Sequence, residues 1–140
     1  MQANIPIDIA DALQEALNAV GVLTSMGITA CAEPLPRDLS DRLPLTLVQP
    51  MGAGGRTDVV VDRFAVRLYT WAGDELAAMD AARCALAALC LVEGEFIDGT
   101  RIYRVVPTSM PYPAPDPERP DLARACFTAY VWARANTIEM

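Results

Sequence analysis

Between Thr57 and Gly94 the chain changes its hydrophobic period without a pause. "TDVVVDRFAVRLYTWA" (57–72) is rich in β-branched and aromatic residues, and Phe64, Val66 and Leu68 alternate with Arg63, Arg67 and Tyr69. That is the period-two pattern of a strand with one face in a core. The residues that follow, "GDELAAMDAARCALAALCLVEG" (73–94), offer Gly73 or Asp74 as a cap and set Leu76, Met79, Ala82, Leu86 and Leu89 along one helical face. A long strand that runs straight into a long helix lays that helix back on its own sheet. The many alanines favour helix and permit a close approach.

The flanks extend this unit. "DIADALQEALNAVGV" (8–22) reads as a helix with Asp8 as N-cap, Asp11 in its first turn, and a stripe of Ile9, Leu13, Leu17 and Val20; Gly21 or Gly27 marks its exit. Residues 27–33 form a short strand, and "LPLTLVQPM" (43–51) a second one confined between Pro44 and Pro50. "TRIYRVVPTSM" (100–110) and "RACFTAYVWARAN" (124–136) complete the set, separated by "PYPAPDPERPD", a stiff extended loop with five prolines in eleven residues. The expected architecture is α+β, order α-β-β-β-α-β-β: a mainly antiparallel sheet of four to five strands with two helices packed on one face, in a single domain spanning 1–140.

"MGAGGRTD" raises the question of a phosphate loop. Such a loop needs a helix behind it to supply amide donors and a dipole. Strand residues follow Gly55 instead, and the chain has no lysine for a Walker pattern. The stretch therefore reads as a hairpin connection. Gly52, Gly54, Gly55 and Arg56 remain candidates for touching a partner, because nothing bulky shields that backbone.

Chemistry is sparse. There is no histidine, the usual acid–base group, and the carboxylates are scattered through loops and helix surfaces. Glu93 and Glu95 flank Gly94 beyond the second helix and read as solvated residues, and "RDLSDR" (37–42) as a loop of balanced charge. Cys31, Cys84, Cys90 and Cys126 contain no C-x-x-C pair, so reduced and mostly buried thiols are expected, with no metal and no cofactor. The net charge of −7, with all eleven basic residues arginine, argues against general nucleic-acid binding. No apolar run approaches the ~20 residues that span a bilayer. The N-terminus lacks the basic start and apolar core of a signal peptide.

One surface is expected to carry function. The outward positions of the strand at 57–72 are Arg67, Tyr69 and Trp71, and those of the last strand are Tyr130, Trp132 and Arg134, opposite Phe127, Ala129 and Val131. Arginine, tyrosine and tryptophan are the types enriched in interface hot spots. Two readings stay open: a contact face for a neighbouring subunit or tube, or an amphipathic face sheltered by a loop such as the proline-rich one.

The ordered pattern across 8–136 resembles the tail terminator (tail completion) proteins of long-tailed bacteriophages. It comprises the N-terminal helix with Leu13 and Leu17, "LPLTLVQP" with its "MGAGGRTD" loop, "DRFAVRLYTWAGDELAAMDAARCALAAL", "PDPERPD", and "ARACFTAYVWAR". The resemblance implies a small α/β virion protein without enzymatic activity. It would form a homohexameric ring that ends tail-tube polymerisation and offers a surface to the head. Its partners would be its own copies, the major tail tube protein and head–tail connector proteins, with DNA passing unbound. It would act at the head-proximal end of the virion tail after assembly in the host cytoplasm. The alternatives are a head-closure or connector ring protein, a small-molecule-binding α/β regulatory domain, and, more remotely, an enzyme working through carboxylates.

Overall fold

The structure is a computed structural model that describes residues 1–97 and 99–139. Its elements in chain order are β1 (Gln2–Ile5), α1 (Ile9–Ala19), α2 (Val22–Ser25), β2 (Thr29–Ala32), a 3-10 turn at Leu39–Asp41, β3 (Leu45–Arg56), β4 (Val61–Ala72), α3 (Glu75–Leu91), β5 (Phe96–Ile97), β6 (Thr100–Pro107), β7 (Tyr112–Pro113), β8 (Ala123–Arg134) and β9 (Asn136–Glu139). The main sheet has seven strands in the order β2-β3-β4-β8-β6-β5, with β7 also paired to β8, and β1 and β9 form a separate two-stranded ribbon. β2 runs parallel to β3, and the other pairs are antiparallel.

This corrects the expected sheet of four to five mainly antiparallel strands with two helices. The sheet is mixed, it is larger, and three helices accompany it. β5 and β7 are two residues long and show no period. The ribbon strands are exposed or only half-buried, so no apolar alternation marks them. The parallel β2–β3 pair arises because residues 33–44 carry the chain back to the starting end of β2.

α1 and α3 lie on one face of the sheet. Asp8 caps α1 by accepting from the Asp11 amide at 3.2 Å, and Asp74 caps α3 by accepting from the Ala77 amide at 2.8 Å. α1 buries Ile9, Leu13 and Leu17 as the stripe predicts. α3 is rotated from expectation. Its buried residues are Ala78, Ala81, Ala82, Ala85, Ala88 and Leu89, while Leu76 is 71% exposed. The small side chains let α3 sit close over β4 and β8, and that approach outweighs burial of the larger leucine. Val66 and Leu68 from β4, and Phe127, Ala129, Val131 and Ala133 from β8, meet these helices in the main core.

β3 does not stop at Pro50. It continues to Arg56, with a register shift between Met51 and Gly55 opposite Ala65 and Arg63. β2 ends opposite Val48, so Pro50 stands where β3 is an outer strand and its missing amide proton costs no ladder bond. The glycine stretch is therefore a bulged strand end and not the expected connection. A side chain at Gly54 would run into the Arg63 carbonyl. The turn itself lies at residues 57–60, where the amides of Thr57 and Asp58 both donate to the Val61 carbonyl.

Much of each long edge of the sheet is closed, although β3 beyond Val48 has no strand on its outer side. On the β2 side, Asn18 Nδ2 donates to the Ala30 carbonyl, Asn18 Oδ1 accepts from the Ala30 amide, and Gln14 Oε1 accepts from the Ala32 amide. Two side chains of α1 thus stand in for a neighbouring strand. On the β6 side, the Ile102 amide donates to the Glu95 carbonyl, the Gly94 amide to the Ile102 carbonyl, and the Val105 amide to Glu93 Oε1. The Glu93 carboxylate, expected to be solvated, is part of this edge. Closed edges resist strand addition from other chains.

Candidate interaction face

The sheet face away from α1 and α3 is built by the alternate residues of four strands. Register sets Trp71 opposite Arg124, Tyr69 opposite Cys126, Arg67 opposite Thr128, Ala65 opposite Tyr130, Arg63 opposite Trp132 and Val61 opposite Arg134. β3 adds Leu45, Leu47 and Gln49 beside Trp71, Tyr69 and Arg67, and β6 adds Arg104 beside Trp132. The six residues anticipated from sequence, Arg67, Tyr69, Trp71, Tyr130, Trp132 and Arg134, do share this face. The structure nevertheless divides it into two ends.

One end is covered. Leu39, Leu45, Leu47 and Trp71 form a second small core, with Leu35, Leu43, Tyr69 and Leu122 packed against it. The proline-rich segment lies across it. Trp71, expected to be exposed, is only 2% exposed. Its indole Nε1 donates to Asp116 Oδ2 at 3.1 Å, and Asp116 Oδ1 accepts from the Glu118 amide at 3.0 Å. Arg124 Nε donates to the Ala114 carbonyl at 2.6 Å and Nη2 to the Pro115 carbonyl at 3.1 Å, with its guanidinium 4.1 Å from the centre of the Tyr69 ring. Arg119 stands 3.5 Å and Arg124 3.9 Å from the same Asp116 carboxylate. Burial opposes the charge on Asp116, but the Glu118 amide, the indole and the two guanidiniums outweigh it and hold the carboxyl below its ordinary range.

The other end is open and cationic. Arg63 lies 4.5 Å from the centre of the Tyr130 ring and Arg104 lies 5.3 Å from that of Trp132. The Tyr130 and Trp132 rings stand 6.1 Å apart at 60°. Arg67 Nη1 donates to the Tyr69 hydroxyl at 3.0 Å, and Arg134 Nη1 to the Tyr103 hydroxyl at 3.5 Å. Among the described residues, no carboxylate lies within 4.0 Å of Arg63, Arg67, Arg104 or Arg134. The Nε atoms of Arg63 and Arg67 are buried without a hydrogen-bond partner. Tyr130 and Trp132 are half-buried and Arg134 is exposed.

Sequence reasoning missed Arg63, Arg104, Asp116 and Arg124 as parts of this face. The strand alternation already put Arg63 on the same side as Arg67, so its signal was present. Arg104 becomes visible only through the β6–β8 register.

The glycine stretch sits apart. Gly52, Gly54, Gly55 and Arg56 border a shallow groove of about 340 Å³ with Pro6 and Phe64. Arg56 is engaged within the chain: Nε and Nη2 grip the nearly buried Asp62 carboxylate at 2.6 and 3.1 Å, and Nη2 also reaches the Asn4 carbonyl at 3.0 Å. This fork ties the terminal ribbon to the β3–β4 arm.

The four cysteines are free thiols. Cys126 is buried, Cys31 and Cys84 are half-buried and Cys90 is exposed, so the expectation that most are buried fails for the helix positions. Among the described residues no group of three or more histidine, cysteine or acidic side chains is placed to hold a metal ion, and no helix is long and apolar enough to cross a membrane.

The helices back one face of the sheet, and the proline-rich segment covers one end of the other face and leaves its second end open. No family model and no curated protein matches the sequence. Among solved structures, the fold is similar to that of a chain described as "Virion of native gene transfer agent (GTA) particle", with a TM-score of 0.56 at 16% identity, over 91% of this chain and 98% of that one.

Proposed function

We propose that this chain is a structural protein of a phage-like particle, acting as a ring subunit that caps the tail tube and presents a surface for joining the head. The observation that carries the reading is the near full-length likeness in fold to a gene transfer agent virion chain, 91% of one and 98% of the other. The bare arginine–aromatic end supports it, being what a contact protein needs. Its partners on this reading are further copies, the tube protein and connector proteins. The net charge of −7 lets DNA pass a ring lumen without adhering.

Particles assembled without this chain test the reading. Their tails should grow to uncontrolled lengths and remain unjoined to heads, and added purified protein should restore both, as scored by electron microscopy. Tails of normal length joined normally to heads in its absence would overturn it.

A further inference from the structure

Among the described residues the open arginines have no acidic partner, yet the chain carries a net charge of −7. The countercharge therefore lies elsewhere on the same molecule. Part of it surrounds a second bare surface, a groove of about 450 Å³ where the end of α1 meets β5, walled by Ala19, Val20, Leu91, Phe96 and Ile97 with Glu95 at its rim. Phe96 is 63% and Leu91 55% exposed there. Ile97 also borders the adjoining depression that holds Asp8 and Asp11. Arg101 stands 5.2 Å from the Phe96 ring centre on one side; the remaining apolar wall, with Glu95 at its rim, complements Trp132 and Tyr130 edged by Arg63, Arg104 and Arg134.

We propose that the open end of the face docks into this groove on a second copy of the chain, the Trp132 side chain meeting Phe96 and Leu91 while Arg104 faces Glu95. The inference rests on the ring-subunit reading and names its joint. The joint is made by side chains and not by strand addition at β2 or β6, where Asn18, Gln14 and Glu93 already occupy the edge. Single-stranded nucleic acid also seeks arginine beside aromatic rings. Here the net charge of −7 repels a polyanion. A joint between unlike patches is head-to-tail, and such contacts generate rings when the rotation closes.

Charge reversal at each side separates the surfaces. Arg104→Glu and Glu95→Arg change exposed side chains, and circular dichroism should report native folds; Arg134→Glu serves if Arg104→Glu misfolds. Each variant alone should lose self-association by roughly tenfold or more, since like charges then face one another. Mixed one to one, the two should regain assembly, because the reversed charges oppose each other at one joint and the native Arg104–Glu95 pair forms at the next. Light scattering distinguishes this from the monomeric single variants. A mixture that stays monomeric, or a Glu95→Arg protein that assembles normally, would overturn the joint while leaving tube capping untouched. Wild-type protein that stays monomeric at every concentration would overturn it too. So would tight binding of a labelled single-stranded oligonucleotide at physiological salt, lost on Arg104→Glu. Failure of the ring reading itself would appear in tail length, which none of these measurements scores.

Discussion

Trp71 and Trp132 lie on the same side of the same sheet, on strands paired to each other, and they have opposite fates. Trp71 is sealed under the proline-rich strap with its indole bonded to Asp116. Trp132 is left half-open under Arg104. Arginines accompany both tryptophans, and among the described residues acids accompany only Trp71. At the covered end Asp116 and Glu118 balance Arg119 and Arg124 within the chain. At the open end Arg63, Arg104 and Arg134 have rings for neighbours and no carboxylate among the described residues. Residue type alone does not mark an interface; what separates the two ends is whether the chain supplies the partner itself.

Trp71→Ala is the strongest test of that contrast. The side chain is buried against Leu39, Leu45 and Leu47, and its removal leaves a cavity and takes one hydrogen-bond donor from Asp116. A loss of about 3–5 kcal/mol is expected, a large share of the roughly 5–15 kcal/mol that stabilises a domain. Chemical denaturation should show it as a large fall in midpoint. A Trp71→Ala protein as stable as wild type would mean that the strap does not seal this end.

Asp116→Ala probes the strap more gently. The substitution strips the indole N–H and the Glu118 amide of their acceptor and leaves Arg124 with only backbone partners, at about 1–3 kcal/mol. Limited proteolysis should then cut within 111–121, where wild type resists. The pH dependence follows from the same carboxylate. Its folded pKa is lowered, so its contribution is fully present above the ordinary aspartate value of about 3.9 and is lost as pH falls through the lower folded value. Wild-type strap protection should therefore vanish only in strong acid. Protection that already fails near neutral pH would remove Asp116 from the latch.

What the sequence made legible tracks how strongly burial patterns a segment. β4, β8 and α1 each put apolar residues at the period of their own structure; β8 and α1 lie within a few residues of the expected spans, while β4 begins at Val61, because 57–60, expected as strand, make the turn. α3 misled because alanine reads as filler on a hydrophobic scale, yet its alanine row is what seats the helix against the sheet. The short strands β5 and β7 and the ribbon carry no period to read. The face itself was half legible. Alternation revealed its membership, down to Trp71 and Trp132 on one side. Shelter by the proline-rich loop was one of two readings left open, and sequence could not say which end it covers, because that depends on Asp116 meeting Trp71 across 45 positions with no local signal.

Trp132→Ala is the smallest perturbation of the fold and the most informative about the open end. Its ring is half-buried on the solvent side of β8, while the opposite side of that strand keeps Phe127, Ala129, Val131 and Ala133 in the core. Removing the indole leaves those contacts intact, so stability should change by about 1 kcal/mol or less. Association is another matter. A buried aromatic anchor at an interface is worth ~2 kcal/mol or more, and at about 1.4 kcal/mol per tenfold the joint weakens more than tenfold. The expected protein melts close to wild type by circular dichroism and elutes as a monomer by size-exclusion chromatography with light scattering. If Trp132→Ala instead lost as much stability as Trp71→Ala, the two ends would be equally buried and the contrast between them would collapse. If it folded and assembled as wild type does, the open end would be bare for some reason other than contact.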